Sequence, residues 1–197
     1  IGIDISKAIG NIIIDIGGGT TEIAVIALNG VVTKEAIRVA GDEMDQAIIQ
    51  WFRNEHKLEV GFSTAESIKK SVGSAMRIKS EMIEVKGRDL VSGIPKVVKI
   101  TYSEIAFAMD KSISKIEEAV LKALESSPPE LSADIYDNGI YLTGGGALLR
   151  GLDKRLNLKT KLPIHVAEEP LRAVVRGTGV ALKNIDGFRA CLLYTSD

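Results

Sequence analysis

The sequence predicts an α/β fold: a mixed five-stranded sheet covered by helices, plus a small inserted α+β subdomain. Three observations predict it. The chain opens on short apolar runs broken by turn residues, the pattern of an antiparallel meander. Strand and helix patterns then alternate toward the far end, which makes the sheet mixed. Between the two, residues 58–100 change character and read as an insertion.

The first strand is the apolar run Asn11 to Ile16, and the second runs from Glu22 to Leu28. Asn29-Gly30 leads into a third over Val31 to Val39, because a type I′ hairpin turn needs positive φ at both central positions. A helix follows Gly41-Asp42, with Met44, Ala47, Ile48, Trp51 and Phe52 on one apolar face, and ends near Lys57. The insertion holds a short helix from about Thr64 and two strand-like runs, Glu81 to Lys86 and Lys96 to Ile100. Thr101 and Glu104 form a capping box. The helix they open carries Ile105, Met109, Ile113, Ile116, Val120 and Leu124, and Ser126-Ser127-Pro128-Pro129 stops it. A strand over Gly139 to Thr143, a helix from Ala147 to about Leu156, a strand over Pro163 to Ala167 and a helix from Pro170 complete the order.

At 197 residues the chain can bury one real core or two small ones. A net charge of -1 argues against a nucleic-acid partner held by bulk charge. The single Cys191 excludes an internal disulfide framework and fits a reducing compartment. No apolar run approaches the roughly 18 residues that span a bilayer. Ile1 is not a start residue, and the chain opens in mid-pattern. Residues 188–197 lack any period; they read as a non-native tail, against the alternative of a genuine short terminal segment.

Two glycine turns carry the chemistry. Asp15-Ile16-Gly17-Gly18-Gly19-Thr20-Thr21-Glu22 joins two strands, so it is neither a Walker A loop nor a dinucleotide fingerprint, both of which lead into a helix. Successive backbone N–H groups in such a turn form an anion nest. Asp15 could hold the hydration shell of a Mg²⁺ ion or polarise a water, and Thr20 and Thr21 could donate hydroxyls. A plain glycine-rich hairpin is the simpler alternative. The second turn, Gly144-Gly145-Gly146-Ala147, lies between a strand and a helix; it suits a phosphate or sugar edge, and equally a turn that needs one glycine for φ. Glu66 and Lys69 share a helix face and could grip a ribose hydroxyl and an adenine edge. Taken alone, they read better as a Ser63–Glu66 capping box beside a solvated lysine. His56 and His165 lack partners at ligand spacing and read as ordinary surface or helix-end residues.

In this order, these residues resemble the actin/DnaK/sugar-kinase superfamily and, within it, the bacterial actin family MreB, over about Ile1 to Asp186. Asp15 to Val25 resembles the family's second phosphate loop, Gly41 to Asp45 its helix start, and Ala65 to Lys69 its adenine/ribose helix. Pro128 to Ile135, Leu142 to Leu152 and Glu168 to Leu171 are closer to MreB than to its cousins.

The resemblance implies an actin-like (ribonuclease H-like) ATPase domain, with residues 1–57 and 101–187 as its core and 58–100 as its small subdomain. It implies ATP and Mg²⁺ as cofactors, with Asp15 holding the metal. Asp15, Thr20 and Thr21 would place the ion and the attacking water. Gly17, Gly18, Gly19 and Thr20 would bind phosphate; Glu66, Ser67, Ile68 and Lys69, with Gly144, Gly145, Gly146 and Ala147, would hold the nucleoside. It implies a cytoplasmic filament former, membrane-associated as filaments, that works with cell-wall synthesis and morphogenesis proteins and not with nucleic acid. The family's other phosphate hairpin, a catalytic glutamate and the membrane-contacting segments belong to a first half absent here. This chain alone is therefore expected to hydrolyse ATP weakly or not at all. A DnaK-type chaperone fragment is the alternative, and it would continue into a β-rich peptide-binding domain. A small-molecule kinase lacks an assignable catalytic aspartate and substrate pocket, and an FtsA-like protein would carry its insertion in the other half.

Overall fold

A computed structural model describes residues 1–77, 81–183 and 185. The non-native tail expected over 188–197 lies outside them. Five strands form one sheet in the order β3-β2-β1-β7-β8: β1 Asn11–Ile16, β2 Thr21–Ala27, β3 Gly30–Ile37, β7 Ile140–Thr143 and β8 Ile164–Val166. β1 is central. It pairs antiparallel with β2 and parallel with β7, and β7 pairs parallel with β8. Ile12, Ile14 and Ile16 alternate with Ile13 and Asp15, so one face of β1 is fully buried and the other only half-buried.

Helices α1 Gly41–Trp51 and α3 Tyr102–Glu125 cover the sheet, packing on each other while α3 crosses β2 and β3. Met44, Ile48, Ile105, Met109, Ile113 and Ile116 supply the buried side of that layer, each almost wholly removed from water. The expected capping box is formed: Thr101 Oγ1 accepts from Glu104 N–H, and the Glu104 carboxylate accepts from Thr101 N–H at 2.7 Å. Residues 58–101 contain β4 Leu58–Glu59, α2 Phe62–Val72, β5 Met82–Asp89 and β6 Pro95–Thr101, with the strands in a separate sheet ordered β4-β5-β6.

The structure departs from the sequence reading in several places. The β2–β3 hairpin turns one residue early. Leu28 and Asn29 hold the left-handed positions (φ 51° and 56°), and Gly30 already pairs with Ala27. Leu28 N–H donates to Lys7 O and Asn29 N–H to Ile5 O, so the preceding segment anchors the turn there. Pro128-Pro129 does more than end α3. Pro129 opens α4 Pro129–Asn138, because a proline at the first helical position forfeits only an N–H that would be orphaned anyway. The helix expected from Ala147 is a 3₁₀ turn, Gly145–Leu148, followed after a break by α5 Leu152–Thr160, and a last helix, α6 Ala173–Lys183, follows β8. No Ser63–Glu66 capping box forms: α2 starts at Phe62 after Gly61, with no side-chain cap.

Arg155 on α5 ties these layers together. Its guanidinium reaches Glu117 at 2.9 and 3.1 Å, Asp110 at 2.7 Å, Ser114 Oγ at 3.0 Å and Ala75 O at 3.1 Å, joining α5, α3 and the segment after α2. Glu117 is 9% exposed, so losing its partner strands a buried carboxylate. We expect Arg155→Ala to cost about 3 kcal/mol in urea unfolding. Arg155→Ala/Glu117→Gln should recover part of that loss; equal losses for the two would place the cost elsewhere.

Candidate phosphate-binding site

The parallel pairing of β1 with β7 aligns Asp15 with Thr143, so both strands end at the same edge of the sheet. The two glycine turns therefore emerge side by side, at the carboxyl ends of neighbouring parallel strands, where open α/β sheets bind ligands.

The turns are not equivalent. In the second, Gly144 has φ +79°, and a Cβ there would overlap Asp15 Oδ1 and Ile16 O; a Cβ on Gly146 would overlap Ile16 Cγ2. Its glycines are thus explained by close packing on the end of β1. Gly144 N–H donates to Pro170 O at 3.1 Å, as does Thr143 Oγ1 at 3.2 Å, and the Ala147 side chain is buried. Of this group, Gly145 alone is exposed.

The first turn is different. None of Gly17, Gly18 and Gly19 has a positive φ, and a Cβ at Gly19 would meet nothing closer than Asp42 Oδ2 at 3.9 Å. Neither φ nor packing asks for glycine at Gly19. Gly17 N–H closes the turn on Thr20 O at 2.9 Å. The carbonyls of Gly17 and Gly18 accept from Gly41 N–H at 3.2 Å and Asp42 N–H at 2.8 Å, the first donors of α1. Among the described residues nothing accepts from the N–H groups of Gly18 and Gly19, and both residues are exposed. The turn thus gives its carbonyls to α1 and keeps bare donors, the polarity of an anion nest.

The side chains assigned from sequence separate into groups. Thr20 is exposed at the turn. Thr21 is buried, and its hydroxyl donates to Val39 O at 2.7 Å, a structural bond that ties β2 to the chain entering α1. Glu66 pairs with Lys70 at 2.6 Å and Ser67 is exposed, while the Ile68 side chain lies in the core. Chemistry alone predicts a solvated Lys69, and the structure corrects this: the side chain is only 14% exposed. Its ammonium bridges Asp45 Oδ2 at 2.6 Å and Gly41 O at 2.9 Å. Burial pushes the Asp45 carboxyl up and Lys69 pulls it back. Asp42 was not assigned, yet its carboxylate flanks Gly18. Asp45 was missed as well, although an acid in register with Ile48, Ile49 and Phe52 signals a buried partner. The His56 ring packs against Trp51 and Phe52 and the His165 ring against Tyr141, so both are side-chain packing partners.

Asp15 is half-buried at the end of β1. Burial, and secondarily the Glu22 carboxylate across the β1–β2 ladder, hold its carboxyl above the ordinary value. Among the described residues no group of three or more His, Cys, Asp or Glu is arranged to hold a metal. A single carboxylate beside a phosphate turn is nevertheless what Mg²⁺ uses when waters and substrate phosphates complete its shell.

The family described as MreB/Mbl protein matches residues 1–190. The chain belongs to the MreB/Mbl family. It is 45% identical to the cell shape-determining protein Mbl of Bacillus subtilis (strain 168), over 94% of this chain and 56% of that protein. It is 47% identical to the cell shape-determining protein MreB of Escherichia coli (strain K12), over 94% and 54%. The crystal structure of MreB 5 of Spiroplasma citri bound to AMPPNP superposes with a TM-score of 0.91 at 40% identity, covering 98% of this chain and 58% of that one. The fold is thus the actin-like fold of MreB, and the chain spans about half the length of the curated relatives it matches.

The raised Asp15 carboxyl predicts a pH signature. Charging Asp15 costs stability above its unfolded value, so the penalty is absent below pH 3.8 and grows as pH rises through the higher folded value. Asp15→Asn should therefore raise the melting temperature at pH 7, with the gain vanishing below pH 3.8. A gain of the same size at both pH values would sink this account.

Proposed function

We propose that this chain is the nucleotide-binding half of an MreB-like cytoskeletal ATPase. In the complete protein it forms filaments that control rod cell shape and cell-wall synthesis. The observation that carries the reading is the first glycine turn, whose Gly18 and Gly19 N–H groups have no partner among the described residues while the Gly17 and Gly18 carbonyls are held by α1. Family membership and the AMPPNP-bound relative of the same fold support it. They favour it over a chaperone fragment.

ATP is the proposed ligand, with Mg²⁺. Gly17 to Thr20 take the phosphates, Gly145 lies on the nucleoside side, and Asp15 holds the ion's water shell or the attacking water. Lys69 acts from the rim of the turn, with Glu66 and Ser67 farther along α2. The buried Thr21 hydroxyl is left out of the chemistry. Partners are other copies of the protein, the cell-wall synthesis and morphogenesis proteins, and the membrane through the half of the relatives' length not spanned here. Among the described residues no helix is long and apolar enough to cross a membrane. The proposed location is the cytoplasm, at the membrane face as filaments.

The test is ATP titration and turnover in the complete protein with Mg²⁺. Gly18→Val should abolish binding, because a side chain there meets Asp42 and covers the donors. Asp15→Ala should keep nucleotide binding and lower turnover about 100-fold, the scale of losing a positioned proton acceptor, with a far smaller effect on fold stability. A wild-type protein that binds no ATP, or an Asp15→Ala variant with normal turnover, would overturn the assignment.

A further inference from the structure

Helix α1 begins without a side-chain cap. Its first two N–H donors are satisfied instead by Gly17 O and Gly18 O. Whatever fixes this end of α1 therefore fixes the turn. Lys69, on α2 of the insertion, donates to Gly41 O at 2.9 Å and meets Asp45 Oδ2 at 2.6 Å. Gly41 and Asp45 are one helical turn apart, so one ammonium straddles the first turn of α1. The fit at Gly41 is tight: a Cβ there would lie 3.2 Å from Lys69 Nζ, 3.4 Å from Gly17 O and 3.7 Å from Gly18 Cα. A bare backbone lets lysine, helix start and turn converge.

Asp45 is an expensive residue for this place. Its side chain is 1% exposed, that of Lys69 is 14% exposed, and Asp45 Oδ1 is buried with no hydrogen-bond partner among the described residues. Taking a carboxylate and an ammonium out of water costs several kcal/mol per ion, and a well-packed apolar pair of the same volume is often as stable or more so. Stability alone therefore does not account for the pair. Fixing a flexible four-carbon lysine at one spot does.

We infer that Asp45 is a positioning residue for the phosphate turn: by holding the Lys69 ammonium against Gly41 it locks the start of α1, and with it Gly17 and Gly18, and joins the insertion to the turn. The inference rests on the proposed nucleotide site, and nucleotide affinity reads it out. Asp45 itself touches no ligand; it acts through Lys69.

The experiment compares wild type, Asp45→Asn, Lys69→Met and the double variant in the complete protein. Mg-ATP affinity, the melting temperature without nucleotide, and amide exchange at Gly41 and Asp42 are measured. Asp45→Asn keeps the side chain's size, so the fold is retained. Each single variant should weaken Mg-ATP binding about tenfold, and the double should be no weaker than Lys69→Met, because residues in one chain of contacts are not additive. Exchange at Gly41 and Asp42 should quicken in Asp45→Asn, while that of Ile14, in the core of β1, stays slow. A lowered melting temperature with unchanged affinity would reduce Asp45 to a structural role and overturn the inference. So would a double variant about 100-fold weaker, the product of independent effects. If wild type binds no Mg-ATP, the proposed function fails instead, and the amide exchange still decides whether Asp45 holds the start of α1.

Discussion

The in-register parallel pairing of β1 with β7 is the constraint on which the rest of this structure depends. Asp15 lies beside Thr143, so the two strands stop together and their following turns share one edge of the sheet. That adjacency leaves little room. The second turn can lie on Ile16 because Gly144 and Gly146 lack side chains. The glycines of the two turns therefore answer different demands, close packing in one and bare donors in the other. The local pattern is alike, three glycines and a small residue, and only the pairing of the strands reveals the difference.

A second dependence runs from backbone hydrogen bonding. An α-helix start has N–H groups to satisfy, and a glycine turn has carbonyls to satisfy. Here each answers the other through Gly41, Asp42, Gly17 and Gly18. The turn is thereby polarised, with acceptors consumed and donors left over. The Asp42 carboxylate flanks Gly18 beside those donors. The surrounding acids, Asp15, Glu22 and Asp42, make a cation useful beside any bound phosphate, because it would offset their repulsion.

Much of the fold was legible because it is written in local periodicity. The apolar runs of β1 and β2, the apolar stripes of α1 and α3 and the Thr101–Glu104 box all rest on residues within a few positions of one another. What was not legible depends on distant partners. The β2–β3 hairpin turns at Leu28-Asn29 and not Asn29-Gly30, since Ile5 and Lys7 carbonyls receive its N–H groups. Pro128-Pro129 reads locally as a stop, though the same residues start α4. Lys69 looked solvated because nothing near it in sequence pairs with it; its partners lie 24 and 28 residues away. Both glycine turns could be found from sequence, but their different roles could not.

The first turn is a surface, and magnitude decides what it can do alone. Neither the groove between α1 and α3 nor the one between α2 and β5 is lined by the glycine turns. A hydrogen bond made in water adds about 1 kcal/mol net, rising to about 1.5–3 with a charged partner. Two free N–H groups thus supply about 3–6 kcal/mol at best, while micromolar affinity needs about 8. The deficit has to come from walls that exclude water and from further charged donors. On the proposed reading these belong to the other half of the relatives' length. Helix α6 is consistent with that: Val174, Val175, Val180 and Leu182 are all exposed, and no described residue of it is buried. A nucleotide that must bridge two half-sites to be held tightly also reports whether they are closed. On the proposed reading, that coupling would let the same ligand act as substrate and as conformational switch.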